Sequence, residues 1–538
     1  MRKQDSDKIE RGAGVLMPIS SLPGPYGIGT LGNEAYDFAD FAFDCGFKYW
    51  QVLPVGPTSF GDSPYQSFSA FAGNPYFIAP DILMNEKLID KNDIEKYKSA
   101  GRQDDIDYEA LYNSRYKLLR SAYEKADLKQ KQEYMEFENS NSYWLNDYAL
   151  FMALKFHFGG KSWTDWDEDI KKRTQESVKH YSELLSDEIG FYKFLQYEFR
   201  KQWQKLKDKV NANGQYFIGD IPLYVAMDSA DVWVHKELFE LDGDCNPINI
   251  AGVPPDCFSQ DGQRWGNPIY NWKAMGKDGF SWWRQRMKAN AGLYDVIRID
   301  HFIGIVNYWS IPASSPTAVD GEWVKGPGSR LTDAIIESVG SSAVIAEDLG
   351  VLTKPVRDLI KETNFPGMKV IEFGLDCKPD NPNLPHNYSS CNMVAYIGTH
   401  DNEPIAGYLK NMSVPDIEKA CDFFDAPSPS EIIDMLMKSL FSSIANIVVV
   451  QLQDMLRLDD KSRMNTPSTL GENWRWRVKR EQYHLINTAY YRKLVDKYNR
   501  SIHVAEQEKE INFLVPERHK MGKDTGLAFQ NGDKDECI

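Results

Sequence analysis

Eight short runs rich in β-branched and aromatic residues punctuate this chain, and most are separated by stretches with helical spacing. They are residues 14–20 (GVLMPIS), 49–55 (YWQVLPV), 216–225 (YFIGDIPLYV), 296–301 (VIRIDH), 343–347 (AVIAE), 368–373 (MKVIEF), 394–398 (VAYIG) and 446–452 (NIVVVQL). Runs this apolar read as strands buried on both faces, which places helices over a parallel sheet. Eight such units predict a (β/α)8 barrel rather than an open doubly wound sheet. Residues 33–46 (NEAYDFADFAFDCG) show the connecting pattern, apolar positions at helical spacing closed by a glycine after the last turn.

The spacing breaks once, between the second and third runs. The middle of that stretch is polar and helix-rich, as in residues 112–129 (YNSRYKLLRSAYEKADLK), and reads as a helical subdomain inserted beside the barrel rim. The expected division is residues 1–57 for the first two strands, 58–214 for the insertion, 215–505 for the rest of the barrel and 506–538 for a charged tail. Residues 241–279 are rich in Gly, Pro and aromatics and are expected to form a long ordered loop.

Three runs lead into acids: Asp300 in YDVIRIDH, Glu347 in AVIAEDLG and Asp401 in MVAYIGTHD. Carboxylates at the ends of barrel strands gather at one rim, where such barrels keep their chemistry. Two of them suffice to cut a glycosidic bond. Strand periodicity puts Arg298 on the face of Asp300, where a guanidinium favours the ionised carboxylate a nucleophile needs; a structural Arg–Asp pair fits equally well. Glu347 follows Val344 and Ile345, so desolvation raises its pKa towards that of a general acid, although periodicity alone leaves Asp348 as an alternative inward residue. His400 and Asp401 suit sugar hydroxyls, with a buried loop-fixing pair as the plainer alternative. Asp220, at another strand end, reads as a structural hydrogen-bonding residue. Residues 62–76 and 254–270 interleave Gly and Pro with aromatics, as pocket-lining loops do.

A net charge of −16 and a pI near 5.2 argue against nucleic acid or an anionic membrane and suit a neutral substrate. The seven cysteines stand singly, so a metal or iron–sulfur site is not expected, and reduced thiols are. The charged N-terminus lacks an apolar signal core and no run could span a bilayer, so a cytoplasmic protein is expected. Two rivals share the acids. An α-amylase-type hydrolase would need chain for a terminal β-sandwich, and a metal-dependent barrel of the enolase kind would be inhibited by EDTA.

These segments resemble the 4-α-glucanotransferases called amylomaltases or disproportionating enzymes, glycoside hydrolase family 77. The likeness runs from Gly12 to about Val478 and rests on SSLPGPYGIG, DSPYQSFSAFAGNPY, GDIPLYVAMDSADVW, VPPDCFSQDGQRWGNPIYNW, RIDHF, AEDLG, GTHDN and MNTPSTLGENWRWR. It implies a barrel with inserted subdomains, no C-terminal β-sandwich, no cofactor, α-1,4-glucans as substrates and a monomer or homodimer. It places Asp300 on the nucleophile, Glu347 on the general acid/base and Asp401 on the third carboxylate. It matches Arg298 and His400 to their partners, Ser63 and Tyr65 to contacts with the cleaved sugar, and Asp220, Asp256, Gln263, Trp265 and Phe373 to residues near the cleft. Two positions depart from the pattern. Ile303 stands where relatives usually carry Arg, and Cys257 where many have Tyr or Ala, which bears on the flanking subsites.

Overall fold

Short, wholly buried strands need helices on one side and one another on the other, and the chain meets both demands by closing a ring. The computed structural model describes residues 2–5, 8–59, 61–97, 103–128, 131–255, 259–469 and 471–502. The strands are β1 (Gly12–Leu16), β2 (Tyr49–Gln51), β3 (Tyr216–Ile221), β4 (Asn249–Val253), β5 (Gln263–Pro268) and β6 (Val296–Ile299), followed by β7 (Asn307–Pro312), β8 (Glu322–Lys325), β9 (Ala343–Ala346), β10 (Gly367–Val370), β11 (Met393–Tyr396) and β12 (Ile447–Gln451). Eight of them form one parallel sheet in the order β10-β11-β12-β1-β2-β3-β6-β9. Each matches one of the eight expected runs, and the fold is a (β/α)8 barrel. Several strands end earlier than their apolar runs; β3 stops at Ile221, before Pro222, which has no N–H for a ladder.

Alternation along each strand divides the core. Leu16, Ile218, Val296, Ile345, Val370, Val394 and Val449 fill the barrel interior, while neighbours such as Val15, Phe217, Ile297 and Val344 face the helical layer. One junction is not a ladder. Between β9 and β10 the Ala346 N–H donates to the Pro366 carbonyl at 2.9 Å, and the Asp348 carboxylate accepts the Met368 N–H at 2.6 Å. The side chain of Asp348 thus stands in for a missing strand contact, and Glu347 is the residue that turns to the cleft.

Between β2 and β3 lie helices including Tyr108–Lys125, Gln132–His157 and Ser186–Ala212. The last carries two buried glutamines that hold the rim loop before it: Gln196 exchanges two hydrogen bonds with the Gly73 backbone (2.7 and 2.9 Å), and Gln202 accepts the Ala79 N–H at 2.8 Å. A β-carbon on Gly73 would lie 2.0 Å from the Phe199 ring, so only glycine lets loop and helix approach this closely.

Residues 241–279 are not a loop throughout. They contain β4, β5 and the helix Trp272–Lys277, and β4 and β5 join β7 and β8 in a separate antiparallel sheet of order β5-β4-β7-β8. The partners of β4 follow the fourth barrel strand, so two successive rim connections build this sheet together. Among the described residues no strand follows β12, and the chain continues as short helices and the helix Thr488–Lys497. No helix among them is long and apolar enough to cross a membrane. The expected tail, residues 506–538, lies outside the described residues.

Candidate active site

The carboxyl ends of β3, β6, β9 and β11 deliver four acids to one rim. Asp220, inside the end of β3, is fully buried and accepts both contacts of Arg298 Nη1, at 2.7 and 2.6 Å. Arg298 lies on β6, paired with Asp220 in the strand register, and its Nη2 reaches Asp300 Oδ1 at 3.0 Å. Its Nε donates to Met368 Sδ at 3.4 Å. One guanidinium, 3% exposed, therefore sits between a buried carboxylate and one that opens to the cleft with 29% exposure. The same-face expectation for Arg298 and Asp300 holds, and Asp220, read from the residues alone as structural, is the anchor of that pair.

Glu347 follows β9 and is 8% exposed. Its Oε2 accepts the His301 N–H and its Oε1 the Leu349 N–H, both at 2.7 Å. His301 reaches this position through a left-handed backbone, φ 51°, uncommon for a residue with a β-carbon and a mark of local strain. Burial drives its imidazole pKa down to about 4, so the ring is neutral. That ring meets Trp265 edge to face at 4.8 Å, and the Trp265 indole N–H donates to Gln263 Oε1 at 3.1 Å. Gln263 and Trp265, two positions apart on β5, thereby reach the rim that carries the acids.

His400 and Asp401 occupy the turn after β11. Asp401 is 43% exposed and accepts the Asn465 Nδ2 donor at 2.6 Å, while its backbone carbonyl accepts Arg463 Nη2 at 2.8 Å. His400 is buried, with Nε2 2.8 Å from the Tyr65 hydroxyl and 3.4 Å from Asp401 Oδ2. Tyr65 has one proton and directs it to Asp220 Oδ2 at 2.9 Å. The hydroxyl must therefore accept from His400, which puts the imidazole proton on Nε2. Desolvation lowers the His400 pKa against the opposing pull of Asp401, in keeping with this neutral ring. Tyr65 and His400 are stacked at 5.5 Å, and Trp474 lies against both, at 5.7 and 6.1 Å.

Ser63 shapes the turn that carries Tyr65, its hydroxyl accepting the Tyr65 N–H at 3.2 Å. Gln66, next along, bonds Asn267 at 3.0 Å and so ties this loop to β5. Phe373 sits on the 3-10 turn Ile371–Gly374 after β10 and is 43% exposed. Ile303 lies in the 3-10 turn Phe302–Ile305 just past His301. Asp256 and Cys257 fall outside the described residues.

The acids are electrically coupled. Burial at the cleft floor pushes Asp300 well above the carboxylate range; Arg298 pulls it down, and Asp220, Glu347 and Asp401 push it up. Burial also raises Glu347, opposed by Arg298 and the two backbone donors. The ionised Asp300 expected beside Arg298 is thus only half the balance: one guanidinium cannot hold every neighbouring carboxyl ionised, and the Asp300–Glu347 pair titrates as a unit. Among the described residues no group of three or more His, Cys, Asp and Glu side chains is arranged to hold a metal ion. Asn465, Asn402 and Glu372 were not singled out from the sequence. Asn465 belongs to the segment MNTPSTLGENWRWR, residues 464–477, and nothing in its spacing points to Asp401.

The comparisons with known proteins agree with this geometry. A family model described as 4-alpha-glucanotransferase, glycoside hydrolase family 77, matches residues 17–483. The 4-alpha-glucanotransferase of Clostridium butyricum is 46% identical over 465 residues, covering 86% of this chain and 95% of that protein. That of Thermus thermophilus is 43% identical over 483 residues, covering 88% and 95%. Among solved structures, an amylomaltase from Streptococcus agalactiae in complex with acarbose superposes with a TM-score of 0.87 at 41% identity, covering 91% of this chain and all of that one. With the match spanning nearly the whole barrel and every acid at its rim, the chain belongs to the 4-alpha-glucanotransferase family, glycoside hydrolase family 77.

Proposed function

We propose that this protein transfers α-1,4-glucan segments to the 4-hydroxyl of glucose or another maltooligosaccharide by a retaining double displacement. The observation that carries the reading is the pairing of Asp300, held by Arg298 at 3.0 Å, with the buried Glu347 across the same rim. The reaction uses the protonation state with Asp300 as the anion, which the Arg298 ion pair favours against burial, and with the proton on the buried Glu347. Asp300 attacks the anomeric carbon as the glycosidic C–O bond breaks, and Glu347 passes its proton to the departing oxygen. The glucan is then an ester of Asp300. An incoming 4-hydroxyl gives its proton to Glu347, its oxygen takes the anomeric carbon, and the Asp300 carboxylate leaves.

Asp401, with Asn465 and His400 behind it, grips the hydroxyls of the sugar being transferred, and Tyr65 keeps that wall in register with Asp220. Trp265 and Phe373 offer partly exposed aromatic faces for neighbouring glucose units. The names of the relatives and the acarbose bound to the Streptococcus agalactiae amylomaltase support a glucan substrate. Free thiols at Cys45, Cys245, Cys377, Cys391 and Cys421 go with a cytoplasmic setting.

Incubating the protein with maltotriose and separating products by length tests the reading. A ladder of longer maltooligosaccharides with released glucose, lost in Asp300→Asn, supports it. Glucose and maltose with nothing longer would make the protein a hydrolase.

A further inference from the structure

Directly behind Asp401 lies a buried acid that the reaction does not use. Glu372, 8% exposed, sits on the turn after β10, next to Phe373. Its backbone N–H donates to the Ile397 carbonyl at 3.0 Å, and its Oε1 accepts Asn402 Nδ2 at 2.8 Å. The other end of that carboxamide is fully used: Asn402 Oδ1 accepts both the Thr399 N–H and the Thr399 hydroxyl, each at 2.9 Å. Asn402 therefore closes the turn from Thr399 that presents His400 and Asp401, and Glu372 holds its amide group from outside. The fit is close. A β-carbon on Gly398 would stand 3.1 Å from Asn402 Cβ and 3.2 Å from Glu372 Oε2.

We propose that Glu372 is a positioning residue for the transfer reaction: through Asn402 it sets the angle of the Thr399–Asn402 turn, and hence where Asp401 stands against the sugar bound at Asp300. It also links that turn to Phe373, so that the aromatic face and the gripping carboxylate move as one piece. The inference rests on the function proposed above. Glu372 touches no substrate; its influence passes through one hydrogen bond.

The surroundings give the contact a sensitivity to pH. Burial lifts the Glu372 pKa to about 8, with Asp454 and Glu403 raising it further and Asn402 and Arg463 opposing. Asp454 reaches the site from the helix after β12, Glu403 from the turn after Asp401, Arg463 from the segment beyond, and Tyr408 from the helix Ile405–Asn411. Below about pH 8 the neutral carboxyl accepts from Asn402 through its carbonyl oxygen. Above it, the anion accepts from Asn402 more strongly, but its Oε2, unpartnered among the described residues, is left charged beside Asp454 and Glu403.

Removing the acceptor, and separately replacing it by a neutral one of the same shape, tests this. Glu372→Leu leaves the Asn402 amide without its partner, whereas Glu372→Gln keeps an oxygen that can accept from it. Maltotriose disproportionation is followed in wild type and both variants, with the thermal midpoint as the control for folding. The expected result is a fall in kcat of about 10- to 100-fold in Glu372→Leu, activity within about 5-fold of wild type in Glu372→Gln, and little change in KM for glucose as acceptor in either. A folded Glu372→Leu variant as active as wild type, or a folded Glu372→Gln variant that falls as far as Glu372→Leu, overturns the proposal. A wild type that makes no ladder overturns the functional reading instead.

Discussion

The backbone N–H of His301 donates to Glu347 at 2.7 Å, so the residue after one acid of the rim holds the carboxylate of another. The left-handed conformation of His301 is what aims that N–H across the barrel rim from β6 to β9. A strained backbone at this position persists because Glu347 on one side and the Trp265 ring on the other both require it. Side-chain exchange at Glu347 thus separates proton transfer from positioning in a way that can be measured.

Glu347→Gln keeps the shape of the side chain and removes the proton. Transfer from maltotriose falls by about 10³-fold, within the range for loss of a general acid. A donor with a leaving group that needs no proton, such as α-maltosyl fluoride, restores the first step. A first turnover of fluoride, one per protein and measured by electrode as a burst, therefore approaches the wild-type rate. The steady state that follows stays slow, because the Asp300 ester waits for an acceptor that Gln cannot deprotonate. A first turnover as slow as transfer from maltotriose would remove Glu347 from the acid role.

Arg298 is the sole guanidinium contact of buried Asp220 in the hydrogen bonds described above. Arg298→Met leaves that carboxylate without its counter-charge and lowers stability by about 3–5 kcal/mol. Adding Asp220→Asn removes the stranded charge, so the double variant recovers much of the thermal midpoint, while transfer remains lost because Asp300 has no ion-pair partner. Calorimetry and the maltotriose assay on the two variants separate these effects.

Tyr65→Phe deletes the hydroxyl that donates to Asp220 and accepts from His400. Each net hydrogen bond of this kind is worth about 1 kcal/mol, and one to a charged group about 1.5–3 kcal/mol. The expected loss in kcat/KM is roughly 10- to 100-fold. The ring contacts with His400 and Trp474 remain, but buried Asp220 and His400 each lose a partner, so the thermal midpoint falls as well.

Burial raises the Asp454 carboxyl to about 7 from its ordinary 3.8, and its Oδ1 accepts the Ile405 N–H at 2.8 Å. The folded state holds this proton more tightly than the unfolded one. Its contribution to stability is therefore fully present below about pH 4 and is lost as pH rises through about 7. Asp454→Asn keeps the bond to Ile405 and removes the titration. Its thermal midpoint exceeds that of wild type at pH 8, by the equivalent of a few kcal/mol, and the advantage vanishes near pH 4. Equal midpoints at both values would mean that the group titrates normally.

The barrel was legible because its strands are apolar on both faces, so β-branched runs such as IVVVQ in β12 stand out against any helix. The second sheet was not. Its strands NIAGV and QRWGNP carry glycine, proline and polar residues without alternation; they pair with each other, and β7, far along the chain, pairs with the first of them. At the site, Arg298 and Asp300 share a face by periodicity, and the sequence shows that much. That Asp220 anchors Arg298, that Asn465 supports Asp401 and that Glu372 supports Asn402 depends on contacts between residues 30 to 78 positions apart. No local spacing carries them. The family motifs brought Asp220 to the cleft, and only the geometry says what it does there.

The junction between β9 and β10 has a consequence for the order in which the chain could be written. The first and last barrel strands, β1 and β12, are paired over five residues, whereas the one interface without a ladder falls in mid-chain, between consecutive strands. Moving the ends to that interface would give a permuted polypeptide that begins at β10 and finishes at β9. Its seven ladders would all lie between strands adjacent in the new circular order or across the old β3–β6 insertion, and none would be cut. The one gap in the ladders of the described ring is therefore the one spanned by Asp348, immediately beside Glu347, while the first and last barrel strands close the ring by direct pairing.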